Sequence, residues 1–284
     1  MAINRVHSSE AQLFVDDQRI PAVISLDISS SKEIEYIPRL GAGHSVEGVL
    51  MPNQNSTLSY GITLTTGATG IDPFYSYQQM QSGFLSTGSF EFKVKDLAGV
   101  ETISGASLTS YSLEGSVGSV VAGNSTYVGD GVIFTENGAL QRSDQSTDHF
   151  DGFFSPKKIE VTTTTNGEEG ISSSTMHIQD FTINVGIDKV PITRLGTRVP
   201  ITRYPSLPSR GTLAFNVIKN KVTGLDLSSL ICDSGVIKID LKDVNDNSVL
   251  DFVTSGCCLE TVDERASLDD NTTLSFNYYF PIIR

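Results

Sequence analysis

Apolar and polar residues alternate along much of the chain. This period of two occurs at positions 23–28, 90–94, 236–241 and 274–278, and it is typical of a strand with one buried and one solvated face. Asn-Gly, Asp-Gly and Asp-Asn pairs separate such segments, and these pairs favour tight turns between antiparallel strands. The pattern predicts an all-β fold.

Only two segments suggest helices. Asp72 could cap a short helix that ends at Ser82-Gly83, and Asp226 could cap another that ends at Ser234-Gly235, since Asp favours the first position of a helix and Gly the residue after its end. Their similar settings led us to compare the two halves of the sequence.

The two halves share a series of signals in the same order. The alternative interpretation is that β-rich stretches share Leu, Gly and Thr by chance. The correspondence favours two tandem, related β-sandwich modules at 20–135 and 176–284, each with one short helix. Residues 1–19 form an N-terminal segment, and 136–175 a polar connector whose hairpin begins with a strand near 157–164. A shift of 155 positions aligns Arg-Leu-Gly at 39–41 with 194–196 and residues 57–60 with 212–215; with gaps, 69–72 aligns with 223–226, 92–96 with 239–243, and 107–108 with 258–259.

The charge balance restricts the partners. The chain has 284 residues, with 33 Asp and Glu against 20 Lys and Arg, which gives a net charge of −13. An acidic protein is poorly suited to binding a phosphate backbone, because that affinity comes from Lys and Arg. The sequence also shows no apolar run of the roughly 18 residues that cross a bilayer and no apolar signal near its start. We therefore expect a protein made in a cytoplasm, with no membrane association.

No group of residues forms a recognisable reactive site. The histidines lack metal-binding spacing, and no Ser has a triad context. The three cysteines are expected to be small apolar side chains without a redox or metal role. We predict no enzymatic activity, no cofactor and no metal. The residues concerned are His7, His44, His149, His177, Cys232, Cys257 and Cys258.

One acidic stretch resembles the start of a calcium loop. Asp243-Val-Asn-Asp-Asn has the first spacing of such a loop, but Ser248 stands where Gly is needed and Thr254 where Glu is needed. A β-turn between Leu241 and Leu250 is the favoured interpretation.

Each module also contains two strands around a loop that is too long for a tight hairpin, at 36–57 and 191–212. The second loop, 198–210, combines apolar, Tyr and Arg residues with three prolines, which stiffen a projecting arm. Tyr and Arg are common interface anchors. We predict that this arm contacts a neighbouring subunit; the alternative is a local lid over its own sandwich. The predicted contact residues are Arg198, Arg203, Tyr204 and Arg210.

Together these features resemble the tail tube proteins of bacteriophages. The resemblance rests on the duplicated β-module, the long arm, the short helix after Thr-Gly-x-Asp, and the strand at 107–118 followed by small residues at 121–125. It is one of pattern over both modules. In that family, six β-sandwich subunits form a ring whose inner strands join into one closed sheet, and the rings stack into a tube.

The resemblance implies a virion structural protein whose partners are its own copies and other phage tail proteins. With two modules in each chain, three chains would close a ring with pseudo-sixfold symmetry, and DNA would pass through without specific binding. Glu91 and Asp240 are the candidates for acidic residues that face the lumen. The alternatives are another phage structural protein, of the baseplate, neck or head decoration, and a receptor- or carbohydrate-binding β-sandwich.

Overall fold

The computed structural model describes thirteen segments of the chain. They are 3–5, 11–20, 22–38, 46–64, 77–87, 90–136, 138–139, 154–165, 168–169, 177–194, 199–218, 235–265 and 272–282. Below, residues 3–136 are called the first half and residues 154–282 the second half.

The predicted all-β fold is confirmed, because the described residues form long antiparallel strands and one short helix. The first half contains β1 (Ile3–Arg5), β2 (Gln12–Val15), β3 (Gln18–Arg19), β4 (Val23–Pro38), β5 (Val46–Thr63), α1 (Tyr77–Leu85), β6 (Phe90–Lys95), β7 (Val100–Ser116), β8 (Ala122–Gly129) and β9 (Val132–Thr135). The second half contains β10 (Lys158–Thr165), β11 (Glu168–Glu169), β12 (His177–Gly186), β13 (Lys189–Ile192), β14 (Thr202–Pro205), β15 (Ser209–Ile218), β16 (Gly235–Lys242), β17 (Ser248–Arg265) and β18 (Thr273–Ile282).

The strands of the two halves pair in the same order. In the first half the order is β4-β5-β8-β7-β6-β2-β3, and in the second it is β12-β15-β18-β17-β16-β10-β11. A hydrogen-bonded pairing of β7 with β12 joins the halves into one large sheet. The strands β13 and β14 form a separate two-stranded hairpin.

The registers of the two halves also correspond. In the first half Ile28 pairs with Leu58, and in the second half Ile183 pairs with Leu213, with both partners 155 positions later. The register shift between Val23 and Ser25 in β4 recurs between Ile178 and Asp180 in β12, again 155 positions later. Leu108 opposite Tyr127, followed by a shift before Ser110, recurs 151 positions later as Leu259 opposite Tyr278, followed by a shift before Thr261. The halves thus agree with the predicted repeat in topology and register, whereas their common origin remains an inference.

One sequence alignment of the halves is wrong by two residues. Phe92 pairs with Ile103 in the first half, and 151 positions after Ile103 lies Thr254, which pairs with Ile237. Phe92 therefore corresponds to Ile237 and not to Ile239. A slip of two keeps the same residues on the buried face, so alternation alone does not detect it.

The core lies between the layers of each half. Phe92 of β6 lies over Tyr127 of β8, with ring centroids 4.6 Å apart, so β6 covers one face of the main sheet. In the second half Phe252 of β17 contacts Phe280 of β18 at 6.5 Å. All four rings are almost completely buried, and the core continues from one half to the other.

The helix α1 ends later than predicted. It runs to Leu85, through the Ser82-Gly83 pair that was expected to end it. Phe84 is fully buried, and this burial outweighs the roughly 1 kcal/mol that a helical glycine costs. The helix predicted to begin at Asp226 lies outside the described residues.

Strands from outside the predicted module boundaries add to both halves. β2 and β3, from the N-terminal segment, pair with β6, and β10 and β11, from the connector, pair with β16. The connector hairpin predicted from residue 157 is therefore present as β10 and β11. Phe154 is buried and its backbone N–H donates to the carbonyl of Leu64, which attaches the connector to the first half.

Candidate assembly surface

The pairing of β7 with β12 is the contact that joins the two halves. It runs over seven residue pairs, from Asp180 opposite Ser116 to Gly186 opposite Ser110. Backbone hydrogen bonds from Val117 to Gln179 and from Ile187 to Thr109 extend it at both ends. We call this pairing the junction.

The buried side of the junction is closely packed. Leu113 lies opposite Ile183 and Gly115 opposite Phe181, and all four residues are buried. A side chain at Gly115 would place its Cβ 2.8 Å from the Phe181 ring. The junction therefore joins the two halves both by backbone hydrogen bonds and by a shared hydrophobic core.

The opposite side of the main sheet carries small polar side chains. We call it the outer face. Its residues bond across the strands: Ser59 to Thr126 at 3.1 Å, Asn216 to Asp180 at 2.7 Å, and Asn277 to Thr261 at 2.9 Å. Two of these pairs are neutral and the third includes the Asp180 carboxylate, and all three leave a hydrophilic surface whose polar groups already have partners.

Carboxylates outnumber basic groups along this face. Among the described residues, Asp27, Glu114 and Asp263 are exposed on it and Asp180 is half-buried, whereas Arg265 and Arg210 are the basic residues. At the second half this face holds a polar groove of about 520 Å³ between Asp180, Asn216, Asp263 and Arg265. The described part of this face is thus polar and weakly acidic.

The arm predicted from the prolines folds back onto its own chain. We call residues 189–194 and 199–207, which include β13 and β14, the arm hairpin. Arg203 is 4% exposed and its guanidinium lies 2.6 Å from Asp130 Oδ1. It also donates to the backbone carbonyls of Gly105, at 2.9 Å, and Gly129, at 3.2 Å. These groups belong to the first half, so the arm hairpin adds an ion pair and hydrogen bonds between the second half and the first.

A lysine adds a second attachment of the arm hairpin. The Lys189 ammonium donates to the carbonyls of Phe84 and Ser86 at the end of α1, where a helix leaves carbonyls without partners. Burial lowers the pKa of Lys189 to about 8. The Thr202 hydroxyl also donates to the Thr87 carbonyl at 3.4 Å.

The outward side of the arm hairpin is apolar. Six large hydrophobic residues between 190 and 207 are at least 40% exposed, and they lie close together in the chain. Contiguous exposed apolar surface of this kind commonly marks an interaction site. Sequence reasoning named Tyr204 as a contact residue but did not name the five aliphatic residues of this surface, although the alternation of the hairpin could have identified them: Val190, Ile192, Val199, Ile201 and Leu207.

The four predicted contact residues lie in different settings. Arg203 is buried within its own chain, but against the first half and not against the second-half sandwich that the local-lid alternative names. Tyr204 is exposed beside it. Arg210 is exposed and lies over the Tyr279 ring at 5.6 Å. Arg198 lies outside the described residues. Contact with a neighbouring subunit stays a prediction for all four.

The two acidic lumen candidates are on strands that do not pair with each other. Glu91 is on β6 and lies 2.9 Å from Lys93, which also bonds Asp17 at 2.7 Å. Asp240 is on β16, where it accepts a hydrogen bond from Ser248 at 2.6 Å. β6 and β16 are corresponding strands of the two halves, β6 pairing with β7 and β16 with β17. Their role in a lumen stays a prediction.

The remaining sequence features have structural settings. Asp243 accepts hydrogen bonds from the backbone of Asn245 and Asn247 in a turn, and Leu241 pairs with Leu250, as the turn interpretation predicts. Cys257 is a buried free thiol whose pKa is raised by burial. The expectation of three plain cysteines is wrong for Cys258, which is disulfide-bonded; Cys232 lies outside the described residues.

Metal-ligand groups and membrane-spanning helices are absent from the described segments. There, no three His, Cys, Asp or Glu residues are grouped as metal ligands would be. No described helix has the length and apolar character needed to cross a membrane. Comparison of the chain with protein-family models and with curated proteins finds no match.

Proposed function

We propose that this protein is a structural subunit that assembles, through its sheet edges, into rings that stack as a phage tail tube. The observation that carries the proposal is the junction between two halves of the same topology and register. A pairing that joins the first half to the second inside one chain can also join the second half of one chain to the first half of the next. Repetition of such a contact around an axis closes a ring.

The numbers of modules support three chains in each ring. Each chain supplies two corresponding halves, so three chains supply six. Closure pairs the outermost strands and removes exposed sheet edges, which otherwise promote uncontrolled aggregation.

The outer face suits the lining of a conduit for DNA. Its described side chains are mostly small and polar, and its charge is weakly acidic. The whole chain carries −13. Such a surface repels phosphates, so DNA would move along it without adhering.

The exposed apolar side of the arm hairpin supports stacking of rings. The hairpin connects the end of β12 with the start of β15, and its apolar residues stay exposed while Arg203 and Lys189 hold the hairpin against the first half. The proposal therefore assigns lateral closure to sheet edges and stacking to the arm.

The test is the assembly state of the purified chain, by analytical ultracentrifugation and negative-stain electron microscopy over a concentration series. The proposal predicts rings of about 92 kDa, three times the chain mass of 30.6 kDa, and longer tubes at high concentration. Discrete oligomers of another size would favour a baseplate, neck or head-decoration protein, and a monomer at every concentration would favour a binding module. A matched variant, Ile201→Asp with Val190→Asp on the arm, should still form rings but not stack them.

A further inference from the structure

The first strand of the chain occupies the edge that assembly would need. β1 pairs with the free side of β4, with Ile3 opposite Ser30, Asn4 opposite Ser29, and Arg5 opposite Ile28. β4 corresponds to β12, which at the same positions pairs with β7. β1 therefore occupies the side of β4 on which a neighbouring chain would pair if it repeated the contact of β7 with β12.

Near the opposite end of the sheet lies β17, the strand that corresponds to β7 of the junction. β17 corresponds to β7, and on the side where β7 pairs with β12, no described strand pairs with residues 261–265. The chain thus presents one half of a second junction at each end of its main sheet.

We propose that β1 is an internal cap on β4 and that β17 of a second copy displaces it, pairing with β4 in the register of the junction. This inference rests on the proposed assembly function and adds its contact register and its regulation. Applying the offsets of 155 and 151 to the junction places Asp27 opposite Arg265, Ser29 opposite Asp263, and Ser31 opposite Thr261.

The side chains of the described residues fit this register. Asp27 and Arg265 are both exposed and would form an opposite-charge pair across the strands, which stabilises a sheet by a few tenths of a kcal/mol up to about 1 kcal/mol. Ser30 would face Val262, a partly buried residue that continues the core. Glu264 is the exception, because it would face Ile28 where the junction has Leu113 facing Ile183. The contact between chains is thus less apolar than the internal junction, as a reversible contact requires.

Ladder length explains the direction of the exchange. β1 offers three residue pairs to β4, whereas the proposed pairing of residues 27–31 with residues 261–265 contains five. In the isolated chain, β1 covers the edge of β4. When a second copy is present, its longer strand β17 displaces β1, because each added residue pair contributes hydrogen bonds and side-chain contacts.

The regulation is tested by locking the cap. In Asn4→Cys/Ser29→Cys, a disulfide under oxidation would tie β1 to β4, and dithiothreitol would release it. We expect the oxidised variant to assemble about tenfold less than the reduced variant, by sedimentation at equal concentration. The parent chain, whose Cys258 disulfide dithiothreitol also reduces, is the control and should assemble equally under the two conditions. A truncated chain lacking residues 2–10 should assemble at a lower concentration than the parent. Equal assembly of the oxidised and reduced forms would overturn the cap.

The register is tested by disulfide trapping between chains. Ser29→Cys/Asp263→Cys should give covalent bands of two and three chains on a non-reducing gel. Ser112→Cys/Asn184→Cys, the same pair in the junction, is the internal control and should cross-link without any increase in mass. Ser29→Cys/Thr261→Cys, slipped by two residues, should give at least about tenfold less product.

The outcomes separate this inference from the proposed function. Assembly of the parent chain without Ser29–Asp263 trapping, or with stronger trapping of the slipped pair, overturns the register and leaves ring formation in place. A parent that stays monomeric while the truncated chain assembles supports the cap. Failure of both to assemble overturns the proposed function and the inference with it.

Discussion

The ion pair between Arg203 and Asp130 should be a major source of stability, because it joins the arm hairpin to the first half in a nearly dry position. Arg203 is 4% exposed and Asp130 19% exposed, with 2.6 Å between guanidinium and carboxylate. Two backbone carbonyls accept further hydrogen bonds from the same guanidinium. Arg203→Met keeps the length of the side chain while removing all of these donors.

The magnitude follows from what the substitution leaves behind. Removing one member of a buried ion pair costs about 3–5 kcal/mol, because the other charge stays desolvated. Asp130 keeps some exposure and water can reach it, so we expect a loss of about 3 kcal/mol in the free energy of unfolding. Asp130→Asn should cost a similar amount, since Arg203 then keeps only its two carbonyl partners.

The assay is urea denaturation of the unassembled chain, followed by circular dichroism. Arg210→Met is the matched control: that arginine is exposed and lies over the Tyr279 ring, so its loss should cost no more than about 1 kcal/mol. The double variant Arg203→Met/Asp130→Asn should lose clearly less free energy of unfolding than the sum of the two single-variant losses. A loss below about 1 kcal/mol for Arg203→Met would refute the reasoning and leave Arg203 available for contacts between subunits.

Two further predictions concern the same contact region. In thermal melts, Gly105→Ala should destabilise the chain by at least about 1 kcal/mol more than Gly118→Ala. Both glycines have a positive φ, but only at Gly105 would a Cβ collide with another group, Asp130 Oδ2 at 1.9 Å. Equal losses for the two variants would contradict the placement of Asp130. Burial gives Lys189 a folded pKa of about 8, below the ordinary lysine value of 10.5, so between these values the unfolded chain holds a proton that the folded chain has lost. The unfolding free energy of the parent should therefore rise relative to that of Lys189→Met from pH 8 to 10.5. A difference between the two proteins that stays flat or falls over that range would contradict the burial of the ammonium.

The fold class and much of the repeat could be predicted from the sequence, because both depend on local patterns. Alternation fixes which face of a strand is buried, and the matching at 57–60 and 212–215 reproduces the observed correspondence of Leu58 with Leu213. Alternation could not fix the offset of Phe92, since a slip of two preserves the buried face. Nor could it locate the end of α1, which depends on the burial of Phe84 against distant strands.

The candidate site was only partly accessible to sequence reasoning. The prolines and arginines at 198–210 indicated a special segment, but the partner of Arg203 is Asp130, 73 positions away, and only the folded chain brings them together. The edges of the sheet were equally hidden. The side of β17 at Thr261 and the strand β1 on Ser29 are consequences of the strand order, which no short motif records.

The central claim is that the two halves of each chain act as corresponding units of a closed ring. Two-dimensional class averages of the purified protein by cryo-electron microscopy, combined with native mass spectrometry, test it most directly. The account predicts annular particles with six lobes and a mass of three chains. Particles whose lobes number three, or a single monomeric species at every concentration for both the 30.6 kDa parent and the chain lacking residues 2–10, would contradict it.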